Sequence, residues 1–322
     1  MTDTEASATG AVKGRDYDWH MQVGDRETAA LLALLQARPG GASWGHLASE
    51  VAFEGSAEIV LARDGDEALF ASPAVEQLII DASEEIARWR AQGLRFVTVL
   101  DEEYPSRLLD IRETPPFLFY EGELRAEDLG MSVVGSREAS PWGLDLAAKV
   151  AEFLVSEGLT VIAGLAAGID TAAHRATLAS GGRTVAFLGT GITHAYPTEN
   201  AGLQREVASK GLVLSQFYPD APPTKHTFPM RNASMSGYGL ATVVIEAGEH
   251  SGTRIQARLA GEHGRPVILT SKVVDATSWG KALVGVPNVY IATSLGELKD
   301  TIREVLGGPG RLKNALAALA ES

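Results

Sequence analysis

Apolar residues recur in two rhythms along the chain. Between residues 26 and 93 they fall three and four apart, in RETAALLALLQA (26–37), WGHLASEV and AVEQLIIDASEEIARWRAQG (74–93), and each run gives way to proline or glycine. That period lines apolar side chains along one helix face and predicts a small N-terminal helical domain over residues 23–93. Trp44 and Trp89 read as core or interhelix contacts within it.

From Met131 the rhythm changes. Short apolar runs (MSVVGSR, TVIAGLAAG, RTVAFLGTG, LVLSQF, ATVVIEA, PVILT) alternate with amphipathic stretches (WGLDLAAKVAEFLVSEG, IDTAAHRATLASG, AGLQREVASKG, TRIQARLAGEHG), and glycines mark the turns. Strands buried on both faces and separated by helices predict an α/β fold with an open, doubly wound, mostly parallel sheet. RFVTVL and PFLFYEG read as short strands that lead into it, NVYIATS as a last strand and LGELKDTIREVLG as a helix. TFPMRNASMSG (227–237) reads as a polar loop. The expected divisions are a leader over 1–22, the helical domain over 23–93, the sheet domain over 94–308 and a short helical tail over 309–322. The leader is polar and without a period of its own, which predicts disorder.

Composition narrows the chemistry. The chain has 322 residues, of which 45% are hydrophobic, enough for one sizeable core and a smaller companion. It contains no cysteine, which removes disulfides, thiol nucleophiles and thiolate-bound metals. No apolar run approaches the roughly 20 residues that cross a bilayer, and the polar start lacks a signal-peptide layout, so a cytoplasmic protein is expected. The net charge of -13 is unevenly spread: residues 1–130 carry 11 basic and 25 acidic side chains, residues 131–270 carry 11 of each. A neutral middle segment can gather its arginines on one face, and the local field then outweighs the sum.

In a sheet of this kind ligands bind beyond the carboxyl ends of the strands. VVGSREASPWG places Gly135, Ser136 and Arg137 beside the start of a helix, where exposed N–H groups and the positive helix end favour a phosphate. AGLAAGIDTAAH brings together Gly164, Gly168 and Asp170, the last at a plausible N-cap. Asp170 and His174 share a helix face; they read as a cap and a hydrogen-bonded histidine, and two possible ligands do not make a metal site. FLGTGITHAYPTEN offers Gly189, Gly191 and Tyr196, a tyrosine suited either to stacking on a base or to anchoring the loop. Arg231 can reach a phosphate bidentately, and Asn232 can hydrogen-bond a base or hold its segment in place. Ser251 and Gly252 put a hydroxyl and backbone donors at another helix start, which Thr253 can cap. Glu246 ends a buried strand and needs partners, either loop N–H groups or an arginine. His194 stands where G-x-G-x-x-G requires its third glycine, and neither a Walker A lysine nor a G-x-S-x-G elbow is present. The turns describe a phosphate-lined crevice, and no catalytic residue, cofactor or metal site is assigned.

The order GSREASPWG, TVIAGLAAGIDTAAHRATLASGGRTVAFLGTGITHAYPTEN, LSQFYP, FPMRN, VVIEAGEHSGTRIQARLAGEHGRPV resembles the DprA/Smf family of DNA-processing proteins over about residues 95–295. YPSRLLDIRETPPFLFYEG matches the family's lead-in to the sheet. The resemblance implies an extended Rossmann-like domain behind a small helical one, single-stranded DNA as ligand and a homodimer. It also implies help in loading the RecA recombinase during natural transformation, without enzymatic turnover. Gly135, Ser136, Arg137, Gly164, Gly168, Asp170, Arg231 and Asn232 are then expected around the DNA-binding pocket. The family usually reads FPRRNRIISG; here Met230 and Ala233 replace two arginines, which is expected to remove two phosphate contacts. Arg137, Arg183, Arg231, Arg254 and Arg258 are candidates to compensate. Two alternatives stay open. One is a sensor whose pocket has narrowed to a free nucleotide. The other is a nucleotide-cleaving enzyme akin to the lysine-decarboxylase-like phosphoribohydrolases, although their PGGxGTxxE turn finds only EAGEHSGT here, with its glycines and acid differently placed.

Overall fold

The short apolar runs after residue 94 assemble into one sheet. The structure, a computed structural model, describes residues 23–63 and 73–320. The polar leader read at residues 1–22 lies outside the described residues. The strands are β1 (Arg95–Thr98), β2 (Phe117–Gly122), β3 (Gly130–Val134), β4 (Thr160–Ala163), β5 (Thr184–Phe187), β6 (Leu212–Ser215), β7 (Thr242–Val244), β8 (Val267–Thr270) and β9 (Val289–Ala292). They lie in the order β1-β2-β6-β5-β4-β3-β7-β8-β9. β1 and β2 are antiparallel to each other, and β2 to β6; the remaining neighbours are parallel. The expected doubly wound, mostly parallel sheet is therefore present, with an antiparallel edge.

Side chains alternate between two cores, as the two-residue period of a strand requires. On one face Met131, Val133, Val161, Val243 and Ile268 meet α5 (Pro141–Ser156), α6 (Ile169–Ala179) and the first turns of α12 (Leu295–Ala320). On the other, Val134, Ile162, Phe187, Val244 and Leu269 meet α7 (Ala201–Lys210), α8 (Thr227–Tyr238) and α9 (Thr253–Glu262).

That second core runs on without a break into the N-terminal helices α1 (Val23–Ala37), α2 (Trp44–Glu54), α3 (Ala57–Arg63) and α4 (Pro73–Ala91). Trp44 packs on Phe117 and Tyr218, both at 5.5 Å between ring centroids. Trp89 meets Phe119 at 5.0 Å and Phe96 at 5.8 Å. Both tryptophans thus join the helices to the antiparallel edge of the sheet.

Three segments differ from expectation. TFPMRNASMSG is helix α8 rather than a loop, and from Arg231 onward every residue of it is buried. Its polar side chains are satisfied internally: the Ser234 hydroxyl donates to the Gln216 side chain, and Ser236 Oγ stands 2.8 Å from His263 Nδ1. A polar helix buried on all sides has no amphipathic period to reveal it. The helix read at 295–307 and the helical tail read from 309 are continuous in the single helix α12, which runs to Ala320. Two short helices after β8, α10 (Ser271–Ala276) and α11 (Ser278–Ala282), carried no sequence signal. Thr277 joins them; its hydroxyl donates to Val273 O and accepts from Gly280 N–H.

Candidate functional site

β3 is the strand from which the chain winds first toward β6 and then, after crossing over, toward β9. A crevice is expected at the carboxyl end of such a switch point. A cleft of about 660 Å³ lies there, walled by the turn after β3, by Asp170, by Phe228, Arg231, Asn232 and Met235 of α8, and by Gly248, His250, Ser251, Gly252, Thr253 and Gln256. A second hollow of about 200 Å³ adjoins it, lined by Gly164, Gly189, Tyr196 and Pro197 and sharing Arg137, Phe228 and Arg231.

The first wall is set by crowding. A Cβ at Gly135 would stand 2.5 Å from Ile169 and 2.7 Å from Glu246 O. Ser136 N–H donates to Glu246 O at 2.7 Å, and Ser136 O accepts from Ile169 N–H. Gly168, at φ 77°, tucks beneath the carbonyls of Ser136 and Arg137, where no side chain fits. The turns after β3 and β4 are thereby interlocked. Arg137 is exposed, makes no ion pair with another described residue, and lies 5.3 Å over the Phe228 ring.

The phosphate expected at the start of α5 finds that end already filled. Ser140 caps the helix and donates from its hydroxyl to Glu246 Oε2 at 2.7 Å, while Ser140 N–H donates to the same carboxylate at 3.2 Å. Glu246 therefore has the loop partners its burial demands, and Arg137 is what the turn leaves for an anion.

Arg231 is a buried strut rather than an exposed reach. It is 6% exposed; Nη1 donates to Gly164 O at 2.6 Å and Phe187 O at 2.8 Å, and Nε donates to Asn232 Oδ1 at 2.9 Å. No side chain fits at Gly164 because the guanidinium occupies its space. Nη2 makes no hydrogen bond to a described residue, and Arg231 borders both hollows. Burial lowers its pKa, an effect that Asp170 opposes.

Asp170 is not the helix cap; Gly168 holds that position. Its carboxylate instead accepts from Gly164 N–H at 2.9 Å and Ala166 N–H at 3.4 Å, clasping the loop. Burial raises the Asp170 pKa, and Arg231 opposes the rise. His174 is fully buried, with Nδ1 at 2.7 Å from Thr184 Oγ1, whose own hydroxyl donates to Val161 O. Burial, and to a lesser degree Arg231, pushes it down to about 3. A neutral buried imidazole fits the hydrogen-bonded reading.

Thr253 likewise does not cap α9; Gly252 stands at the cap, and the Thr253 hydroxyl donates to Gly135 O at 3.2 Å. Ser251 Oγ donates to Thr253 Oγ1 at 2.9 Å. Gly189 lies against the Phe228 ring, and Tyr196 is 5.5 Å from that ring. Of the turn residues expected, Gly168 stands behind the cleft wall, Gly191 lies against the carbonyls of Tyr218 and Pro219, and Gly135, Ser136, Arg137, Gly164, Asp170, Gly189, Tyr196, Arg231, Asn232, Ser251, Gly252 and Thr253 border one hollow or the other.

The arginines sort by position. Met230 is 40% exposed, so an arginine is missing there at the surface, whereas Ala233 is 1% exposed and its side chain faces the core. The first replacement therefore changes the surface and the second the interior. Arg183 pairs with Asp128 at 2.8 Å at the opposite end of β5, away from the cleft. Arg258 pairs with Glu262, while Arg254 makes no ion pair with a described residue and borders a shallow groove beside His250 and Ser251. Sequence reasoning missed Phe228, which walls both hollows, and Gln256, at 1% exposure in the wall of the larger. FP before RN was a signal for the first; Gln256 sits mid-helix with none. Among the described residues no group of three or more His, Cys, Asp or Glu is placed to hold a metal ion, and no helix is long and apolar enough to cross a membrane.

The profile of the DNA recombination-mediator protein A family matches residues 95–298. DNA processing protein DprA of Streptococcus pneumoniae is 40% identical over 185 residues, 57% of this chain and 65% of that protein. Across four curated relatives, the chain spans 45% to 66% of their length. The X-ray structure of the S. pneumoniae protein is similar with a TM-score of 0.67 at 29% identity, covering 86% of this chain and 98% of that one. DNA processing protein A of Helicobacter pylori, from a study of its single-stranded DNA binding mode, shares the fold: TM-score 0.58, 22% identity, 65% of this chain and 96% of that one. With this profile on this sheet, the chain belongs to the DNA recombination-mediator protein A family, the DprA/Smf proteins.

Proposed function

We propose that the cleft binds single-stranded DNA. The observation that carries this reading is Arg137 over the Phe228 ring at 5.3 Å, an exposed cation beside an aromatic face at the edge of both hollows. A cation for the backbone and a ring for a base are the two elements of sequence-tolerant strand binding. Tyr196 extends the aromatic surface and Arg254 the cationic rim. The fold likeness to the H. pylori protein supports the same ligand. In this reading the protein acts as a homodimer, assists RecA loading in DNA uptake or recombination, and turns over no substrate. The last point is supported by Asp170 and Glu246, whose carboxylates are engaged in holding loops. A free nucleotide is the competing reading, favoured by the cleft's volume of about 660 Å³.

The test is the affinity for fluorescent oligo-dT across a salt series, with a duplex control and competition by free nucleotides. Preference for single strands is expected, with log affinity falling against log salt by roughly 0.7 for each phosphate contacted. A mononucleotide that binds while the strand is ignored would replace this reading with the sensor.

A further inference from the structure

We infer that Gln256 is a base-reading residue, its carboxamide pairing with the hydrogen-bonding edge of one nucleobase in the cleft. The inference rests on the single-stranded DNA reading above and deepens it. Gln256 is 1% exposed and forms part of the cleft wall, yet neither Oε1 nor Nε2 has a hydrogen-bond partner among the described residues. A buried amide without partners costs free energy in the unliganded protein. Its polar neighbours are engaged: Asn232 holds Arg231 Nε, and the Thr253 hydroxyl holds Gly135 O. Presenting the Gln256 amide to a ligand therefore breaks no hydrogen bond of the protein.

The chemistry of the amide selects the partner. A phosphate offers acceptors alone and would leave Oε1 unpaired, and a deoxyribose within a strand also only accepts. A base edge presents a donor and an acceptor side by side, matching a carboxamide bidentately. Val134 and Met235, in the same wall, supply apolar contact for the ring.

The experiment compares oligo-dT with a strand in which every thymine is replaced by difluorotoluene, which keeps shape and stacking but has no pairing edge. The wild type is expected to bind oligo-dT roughly tenfold more tightly than the isostere strand. Gln256→Leu is expected to bind both strands alike at the weaker level, and to melt at a higher temperature because the unpartnered amide is gone. Equal binding of both strands by the wild type, or undiminished discrimination by the variant, overturns the inference and leaves strand binding intact. A variant that melts lower or fails to fold assigns Gln256 to structure and overturns it too. If the wild type binds neither strand, the single-stranded DNA reading falls and the inference with it.

Discussion

Nη1 of Arg231 occupies the space where a side chain at Gly164 would stand, and donates to the Gly164 carbonyl at 2.6 Å. The same nitrogen reaches Phe187 O, so one buried cation bridges the ends of β4 and β5. Arg231→Ala is expected to cost about 3–5 kcal/mol in urea unfolding, because two carbonyls lose their donor and buried Asp170 loses its cation. Gly164→Ala should destabilise as well, by displacing the guanidinium. An Arg231→Ala variant with wild-type stability would refute the bridging role, and lost DNA binding in an unfolded variant would say nothing about contact.

His174 supplies a pH signature. Its folded-state pKa of about 3 lies below the ordinary value of 6.5, so the folded protein binds fewer protons. Its contribution to stability is complete above the ordinary value and is lost as pH falls from there toward 3, at up to about 1.4 kcal/mol per unit. His174→Gln is expected to flatten that part of the stability profile, measured by chemical unfolding across the same range. A slope unchanged by the substitution would mean that the imidazole takes up its proton inside the fold.

The arginine positions give opposite expectations for neighbouring residues. Met230→Arg adds an exposed cation near the cleft and should steepen the salt dependence of strand binding by roughly 0.7. Ala233→Arg buries a charge in the core and should unfold the protein or cost several kcal/mol, about 3 or more. Arg137→Ala should reduce the salt slope by a similar roughly 0.7 while moving stability by no more than about 0.5 kcal/mol. Salt-series titrations alongside thermal melts separate these outcomes.

Trp89 couples the helical region to the sheet. Replacing it with alanine should cost about 3–5 kcal/mol and, since one apolar core spans both regions, broaden or split a single cooperative unfolding transition. Loss confined to the helical signal at unchanged sheet stability would show that the two regions fold independently.

The sheet was legible because its strands are short, apolar and glycine-bounded, and each obeys a local rule. The cleft's location followed from the same glycines. What sequence could not display was direction. Arg231 reads as a surface phosphate ligand until α8 is seen to be a buried helix, where a long cationic side chain must find carbonyls. Asp170 and Thr253 stand one or two residues past the capping position, a difference within the uncertainty of any helix boundary read from sequence. Glu246 filling the end of α5 depends on a contact between residues 106 apart, beyond the reach of any periodicity.

Gly168 lies beneath the carbonyls of Ser136 and Arg137, and the Thr253 hydroxyl clips the carbonyl of Gly135. The loop after β3 is thus clamped between two others, and an insertion in it would have to dislodge both. Change of ligand preference in such a frame is channelled away from loop length and toward single substitutions on α8 and α9, the helices that carry Phe228, Met230 and Gln256. Relatives that differ in what they hold should therefore differ by a few side chains on a common backbone.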